Sequence, residues 1–117
     1  MLPPNHRLPG SSIPLVLSSS HSFKTQNLSL KFIKTKKPTS RLGFIAPIKS
    51  FPKAPTRNKI KRQLRHAALD YLNQLKPDHD LIIIAQKSLL NLSFSQLKKE
   101  IKTLFTQASL FKWSRFF

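Results

Sequence analysis

The stretch Thr56-Arg57-Asn58-Lys59-Ile60-Lys61-Arg62-Gln63-Leu64-Arg65-His66-Ala67-Ala68-Leu69-Asp70-Tyr71, running on to Leu75 and closed by Pro77, decides the fold. Ile60, Leu64, Ala67, Ala68, Tyr71 and Leu75 recur at helical spacing and make one apolar stripe on a polar segment. The spacing predicts a helix over residues 56–75, with Thr56 as its cap and Pro77 as its stop. Asp80-Leu81-Ile82-Ile83-Ile84-Ala85 follows at once, apolar at every position after the first and rich in β-branched residues. Such a run is a strand buried on both faces, which places it in the centre of a sheet. A long one-sided helix leading into a doubly buried strand implies mixed helix and sheet around one core.

Towards the C-terminus, Ser93 with Gln96 three residues on forms a capping box, and Leu92 faces Leu97 as a hydrophobic staple. The helix they start carries the stripe Phe94, Leu97, Ile101, Leu104 and Phe105. Trp113 and Arg115 lie in an aromatic and basic tail, residues 111–117, expected to fray. Towards the N-terminus, Arg41 to about Ala46 predicts a strand, with a loop from Pro47 to Thr56 holding Lys49 and Lys53. Leu28, Leu30 and Phe32 alternate with Ser29 and Lys31 in the period-two pattern of a half-buried strand. Its Ser29, Lys31 and Ile33 side is the polar one, and Phe32 belongs to the core, as do Phe23 and Phe44. Ile13, Val16 and Leu17 make a short helix, with Pro14 in its first turn and Ser11 or Ser12 as cap. Residues 1–10 hold three prolines and a glycine and are expected to be an extended, mobile lead-in. Residues 11–110 then form a single domain, since 117 residues make one small core and no more.

The chain has 21 Lys and Arg against four acids, a formal net charge of +17, and no acid precedes Asp70. A compact domain with this surplus repels itself unless a polyanion neutralises it, which points to nucleic acid. With zero cysteines there is no disulfide framework, thiol nucleophile or Cys-ligated zinc, and a reducing compartment fits. The longest pure apolar run, Leu81 to Ala85, is far short of the ~18 residues of a membrane span, so no membrane partner is expected. The Ser-rich, acid-free start is reminiscent of an organellar leader, but Pro3, Pro4, Pro9 and Pro14 interrupt the helix such a leader needs. His6, His21, His66 and His79 follow no ligand spacing, and Asp78 and Asp80 around His79 are expected to be solvated loop carboxylates. Neither catalytic residues nor a metal site is expected in the chain.

The chemistry therefore concentrates on the first turns of the long helix. At about 100° per residue, Lys61, Arg65, Asn58 and Arg62 fall within one quadrant beside the apolar stripe. Cations there oppose the helix dipole at about 0.3 to 1 kcal/mol each unless an anion binds, and a local rule broken without structural gain marks a functional site.

Arg57-Asn58-Lys59-Ile60-Lys61-Arg62-Gln63-Leu64-Arg65 resembles the signature of the ribonuclease P protein subunit. Arg7-Leu8 is similar to that family's opening motif, Arg41-Leu42-Gly43-Phe44 to its strand motif and Leu81 to Ala85 to the strand after its signature helix. The resemblance implies a two-layer α+β sandwich in the order αβββαβα, with a left-handed β-α-β crossover. It further implies an RNA-binding subunit of an endoribonuclease in the bacterial cytoplasm, whose catalytic centre and Mg2+ belong to the RNA partner. On that reading Arg57, Asn58, Lys59, Lys61, Arg62 and Arg65 contact the catalytic RNA. Lys31, Ile13, Leu17, Lys49 and Lys53 line a cleft for the single-stranded 5′ leader of precursor tRNA. Ile13 and Leu17 stand where the family often has phenylalanines, and Pro47-Ile48-Lys49 replaces a Ser-Lys-Lys, so leader binding here is expected to rest on charge more than stacking. Two rivals remain. A small ribosomal protein fits charge and size but not the signature, and a helix-turn-helix DNA binder is disfavoured by the strand between the long helices.

Overall fold

The structure is a computed structural model and describes residues 2–19 and 21–111. Three helices and four strands alternate as α1 (Ile13–Leu17), β1 (Ser22–Lys24), β2 (Leu28–Lys34), β3 (Arg41–Ile45), α2 (Ala54–Leu69), β4 (His79–Ala85) and α3 (Phe94–Gln107). The sheet order is β1-β2-β4-β3. β1 and β2 form an antiparallel pair, β2 and β4 another, whereas β3 and β4 run parallel. Parallel neighbours need a crossover, which is why α2 stands between them in the chain. The αβββαβα order expected from the resemblance is present, and the fold is α+β. Trp113 and Arg115 lie outside the described residues.

β4 is central and apolar on both sides because it separates two apolar layers. On one side Leu81, Ile83 and Ala85 join Leu28, Leu30 and Leu42 with the stripes of α2 and α3 in the main core. On the other, Ile82 packs with Val16 of α1 and with Leu8, flanked by Ile33, Ile45 and Ile84. Three-residue β1 shows no period that its sequence could reveal, yet it pairs fully, Phe23 opposite Leu30.

Several expectations are corrected. α2 starts two residues before Thr56 and ends at Leu69, and Leu72–Gln74 continues as a separate turn of 3-10 helix. Lys53 occupies the cap position without a side-chain bond, and Pro55 in the first turn supplies the pre-set backbone angle that starts the helix. Phe94 is 49% exposed, because it sits at the first residue of α3, where the stripe has not yet turned onto the core. The capping box is formed: the Gln96 N–H donates to Ser93 Oγ at 3.3 Å, and the Ser93 N–H to Gln96 Oε1 at 2.9 Å. The lead-in expected to be mobile is docked: Leu2 is 3% exposed, the Leu8 N–H donates to the Leu42 carbonyl at 3.0 Å, and Thr39 Oγ1 donates to the Asn5 carbonyl. It thereby covers part of the open edge of β3, a position that otherwise leaves backbone groups unpaired.

Candidate nucleic-acid interface

α2 presents the candidate polar and cationic side chains at two depths. Asn58, Lys59 and Arg62 are exposed, and Lys61 and Arg65 are half-buried. Arg57 is half-buried as well, and its Nη1 donates to the carbonyls of Phe51 and Pro52 at 2.9 Å each. Arg57 therefore ties the preceding loop to the helix, a structural use that its place in the motif did not reveal.

Among the described residues no carboxylate answers this face. Asp80 is buried and takes Arg41 Nε and Nη2 at 2.8 and 2.6 Å, a hydrogen-bonded pair that pushes the Arg41 pKa up. Asp70 holds Lys98, whose pKa its hydrogen bond likewise raises. Glu100 accepts from Thr25 Oγ1, the Asn27 N–H and Asn27 Nδ2. Asp78, in the left-handed region at φ 59°, lies 3.2 Å from His79 Nδ1. With Asp70, Asp80 and Glu100 engaged elsewhere and Asp78 beside His79, the α2 cations keep their field for an outside anion. Asp78 and Asp80 also part company here. Asp80 is spent on Arg41, so the two carboxylates do not form the donor set that Mg2+ requires.

The second group of candidates is not gathered into one site. Ser29, Lys31 and Ile33 share the sheet face on which α1 packs, since Lys31 pairs with Ile82 across the ladder. Lys31 Nζ donates to the Leu17 carbonyl at 3.0 Å, so the lysine caps the C-terminus of α1. Ile13 and Leu17 are half-buried against the Ile82 cluster. Lys49 is exposed on the β3–α2 connection, while Lys53 lines a separate crevice with Phe51, Thr56 and Leu90. Phe32 points to the opposite face, stacked with His21 at 5.4 Å and with Phe23 at 6.2 Å between ring centres. It is half-buried and packs against the main core, on the face away from α1.

A crevice of about 430 Å³ joins the two regions at the outer edge of β3. Lys61 and Arg65 line it from α2, Ile13 from α1 and Arg7 from the docked N-terminal segment. Arg7, Gly43 and Phe44 were not candidates on sequence grounds. Their signal lay in the Arg7-Leu8 and Arg41-Leu42-Gly43-Phe44 motifs, but nothing local says that the two segments meet.

The family model described as Ribonuclease P matches residues 2–109, nearly the whole chain. The chain belongs to the ribonuclease P protein family. The ribonuclease P protein component of Lactococcus lactis subsp. lactis is 36% identical over 87 residues, covering 74% of this chain and 73% of that one. Among solved structures, the RNase P protein of Staphylococcus aureus superposes with a TM-score of 0.79 at 21% identity, covering 92% of this chain and 98% of the other. That of Thermotoga maritima gives 0.74 at 24% identity over 84% and 93%. At these identities the structural likeness establishes the fold, and the family rests on the sequence match. As a ribonuclease P protein, the chain is a subunit of a tRNA-processing ribonucleoprotein. Among the described residues no helix is long and apolar enough to cross a membrane, and no three His, Asp or Glu side chains gather.

Proposed function

We propose that the chain binds the catalytic RNA of ribonuclease P through the exposed face of α2 and assists endonucleolytic removal of the 5′ leader from precursor tRNA in the bacterial cytoplasm. The observation that carries this reading is the α2 face itself, five polar and cationic side chains (Asn58, Lys59, Lys61, Arg62 and Arg65) that no carboxylate answers among the described residues. Phosphates supply the missing charge, and release of their counterions drives binding. The leader lies along the α1 side of the sheet, over half-buried Ile45 and Ile84, with the exposed Lys49 near its path. Bond cleavage would belong to the RNA, which would hold the catalytic Mg2+, while this chain positions substrate. The chain itself holds no cofactor and contacts neither membrane nor DNA.

The test is reconstitution: full-length protein added to ribonuclease P RNA and precursor tRNA at low Mg2+. Restored cleavage at the mature 5′ end is expected, and RNA binding without any gain in cleavage overturns the reading.

A further inference from the structure

We propose that the sheet carries a second single-strand site on the face away from α1: a shelf of stacked rings, His21, Phe32 and Phe23, on which unpaired bases of the upstream 5′ leader stack, with Lys34 and Lys36 taking phosphates. This rests on the proposed path of the leader along α1 and extends it. His21, beside the start of β1, stacks on Phe32 of β2 at 5.4 Å and 24°, and Phe23 of β1 stacks on it at 6.2 Å and 12°. His79 of β4 adds a tilted ring at 6.1 Å. The ladder makes this alignment, since the Phe32 N–H donates to the His21 carbonyl and side chains two apart on a strand share a face. A second cluster among the described residues is built differently. Tyr71, Phe105 and Phe111 meet edge to face at 83°, 63° and 88° around a fully buried Phe105, which is core packing. The shelf is near-parallel and open: His21 is exposed, and Phe23, Phe32 and His79 are half-buried. An exposed ring stacked in this way fills no core and keeps its outer face for another ring.

The surroundings are cationic. Lys34 is exposed and stands opposite His79 in the β2–β4 register. Lys36 and Lys37 follow on the exposed β2–β3 turn, which the Thr35 N–H ties to the Asp78 carbonyl at 2.7 Å. Asp78 keeps its carboxylate beside His79 Nδ1 at 3.2 Å. Flat rings with cations next to them hold single strands, with bases on the rings and phosphates on the charges. A duplex keeps its bases paired and offers none to a ring. β1 and β3 are the two edges of the sheet, about 14 Å apart at three strand spacings, so RNA held on α2 beside β3 does not account for the shelf. The leader does. Leu17 ends α1 and His21 begins the shelf four residues on, where Ser19 Oγ donates to the Phe32 carbonyl at 2.8 Å and accepts the His21 N–H at 3.0 Å. A strand leaving the α1 side therefore meets the shelf on rounding the β1 edge. α1 itself offers Ile13 and Leu17 and no ring, so the stacking that the cleft lacks is supplied here.

The test uses the full chain assembled with ribonuclease P RNA, and precursor tRNAs with leaders of about 5 or about 20 nucleotides, the shorter ending within the α1 side. Affinity is measured across a salt series for wild type, His21→Ala, His21→Tyr and Lys34→Gln, with thermal melts to check the fold. Both positions are exposed, so the variants are expected to fold. Wild type is expected to bind the long leader more tightly than the short. His21→Ala is expected to lose at least about fivefold on the long leader and nothing on the short, and His21→Tyr, which keeps a ring, to restore the loss. Lys34→Gln is expected to make the log-log salt slope for the long leader shallower by about 0.7, one single-strand phosphate. A short leader that adds affinity over mature tRNA, with no further gain from the long one, overturns the shelf and leaves the leader reading standing. No gain from either leader overturns both. Long-leader affinity unchanged in His21→Ala and Lys34→Gln, or weakened equally for the short leader, also overturns the shelf. A loss of affinity for ribonuclease P RNA alone in His21→Ala assigns the rings to that RNA and overturns the proposal, as does self-association of the free chain that His21→Ala abolishes, which gives the rings to a second copy.

Discussion

At the scale of single residues, Arg57 and Arg62 show how one motif divides into different uses. Both are arginines of α2 five positions apart, but Arg57 spends Nη1 on two backbone carbonyls while Arg62 is exposed and unpaired among the described residues. Arg57→Ala is therefore expected to lower stability by about 1 to 2 kcal/mol, the worth of charge-assisted bonds at a partly exposed site. Arg62→Ala should stay within about 0.5 kcal/mol of wild type, as is usual for a surface change. Urea denaturation of both variants checks this, and equal stabilities would show that the Arg57 bonds contribute nothing. Affinity for ribonuclease P RNA should run the other way, with Arg62 the more costly loss.

At the scale of elements, the sheet depends on two attachments. Ile83 on β4 is fully buried between Leu30 of β2 and Phe44 of β3. Ile83→Asp places a carboxylate there at a cost of several kcal/mol, against a total stability of about 5 to 15, and is expected to abolish cooperative folding. A soluble variant with a sharp melt would show that β4 tolerates charge and is not the centre of the core. The second attachment is Glu100, whose two oxygens hold Thr25 and Asn27 and so clamp the β1–β2 turn to α3. Glu100→Gln replaces one acceptor oxygen by a donor facing a donor. A loss of about 1 to 3 kcal/mol is expected. Amide exchange should then rise first in β1, the three-residue edge strand, and unchanged protection there would mean that the clamp is redundant.

At the scale of the whole molecule, charge dominates. With 21 cations against four acids, the free protein is under self-repulsion that salt screens. The melting temperature of the free chain is expected to rise by several degrees as salt is raised through physiological strength, since about 1 kcal/mol corresponds to about 4 to 8 °C in a domain of this size. RNA binding should weaken over the same range. A melting temperature that falls or stays level with salt would mean that the surplus is not a burden on the fold.

The long helix, the central strand and the capping box of α3 were legible because each is a relation between residues at most a few positions apart: a stripe at 3.6, an unbroken apolar run, a Ser with a Gln three residues on. Net charge depends on no structure at all, so the class of partner followed from composition. Neither kind of signal reaches across the chain. The bonds that hold Lys31 to Leu17, His6 to Ser40 and Thr25 to Glu100 span 14, 34 and 75 residues, and each alters what its residues do. Lys31 changes from a free cleft lysine to a helix cap, the lead-in becomes a docked strap, and Arg7 joins Lys61 and Arg65 around one crevice. Local periodicity decides which residues face a core; only the closed fold decides which distant side chains meet, because it is packing of the sheet between two layers that brings them within a hydrogen bond of each other.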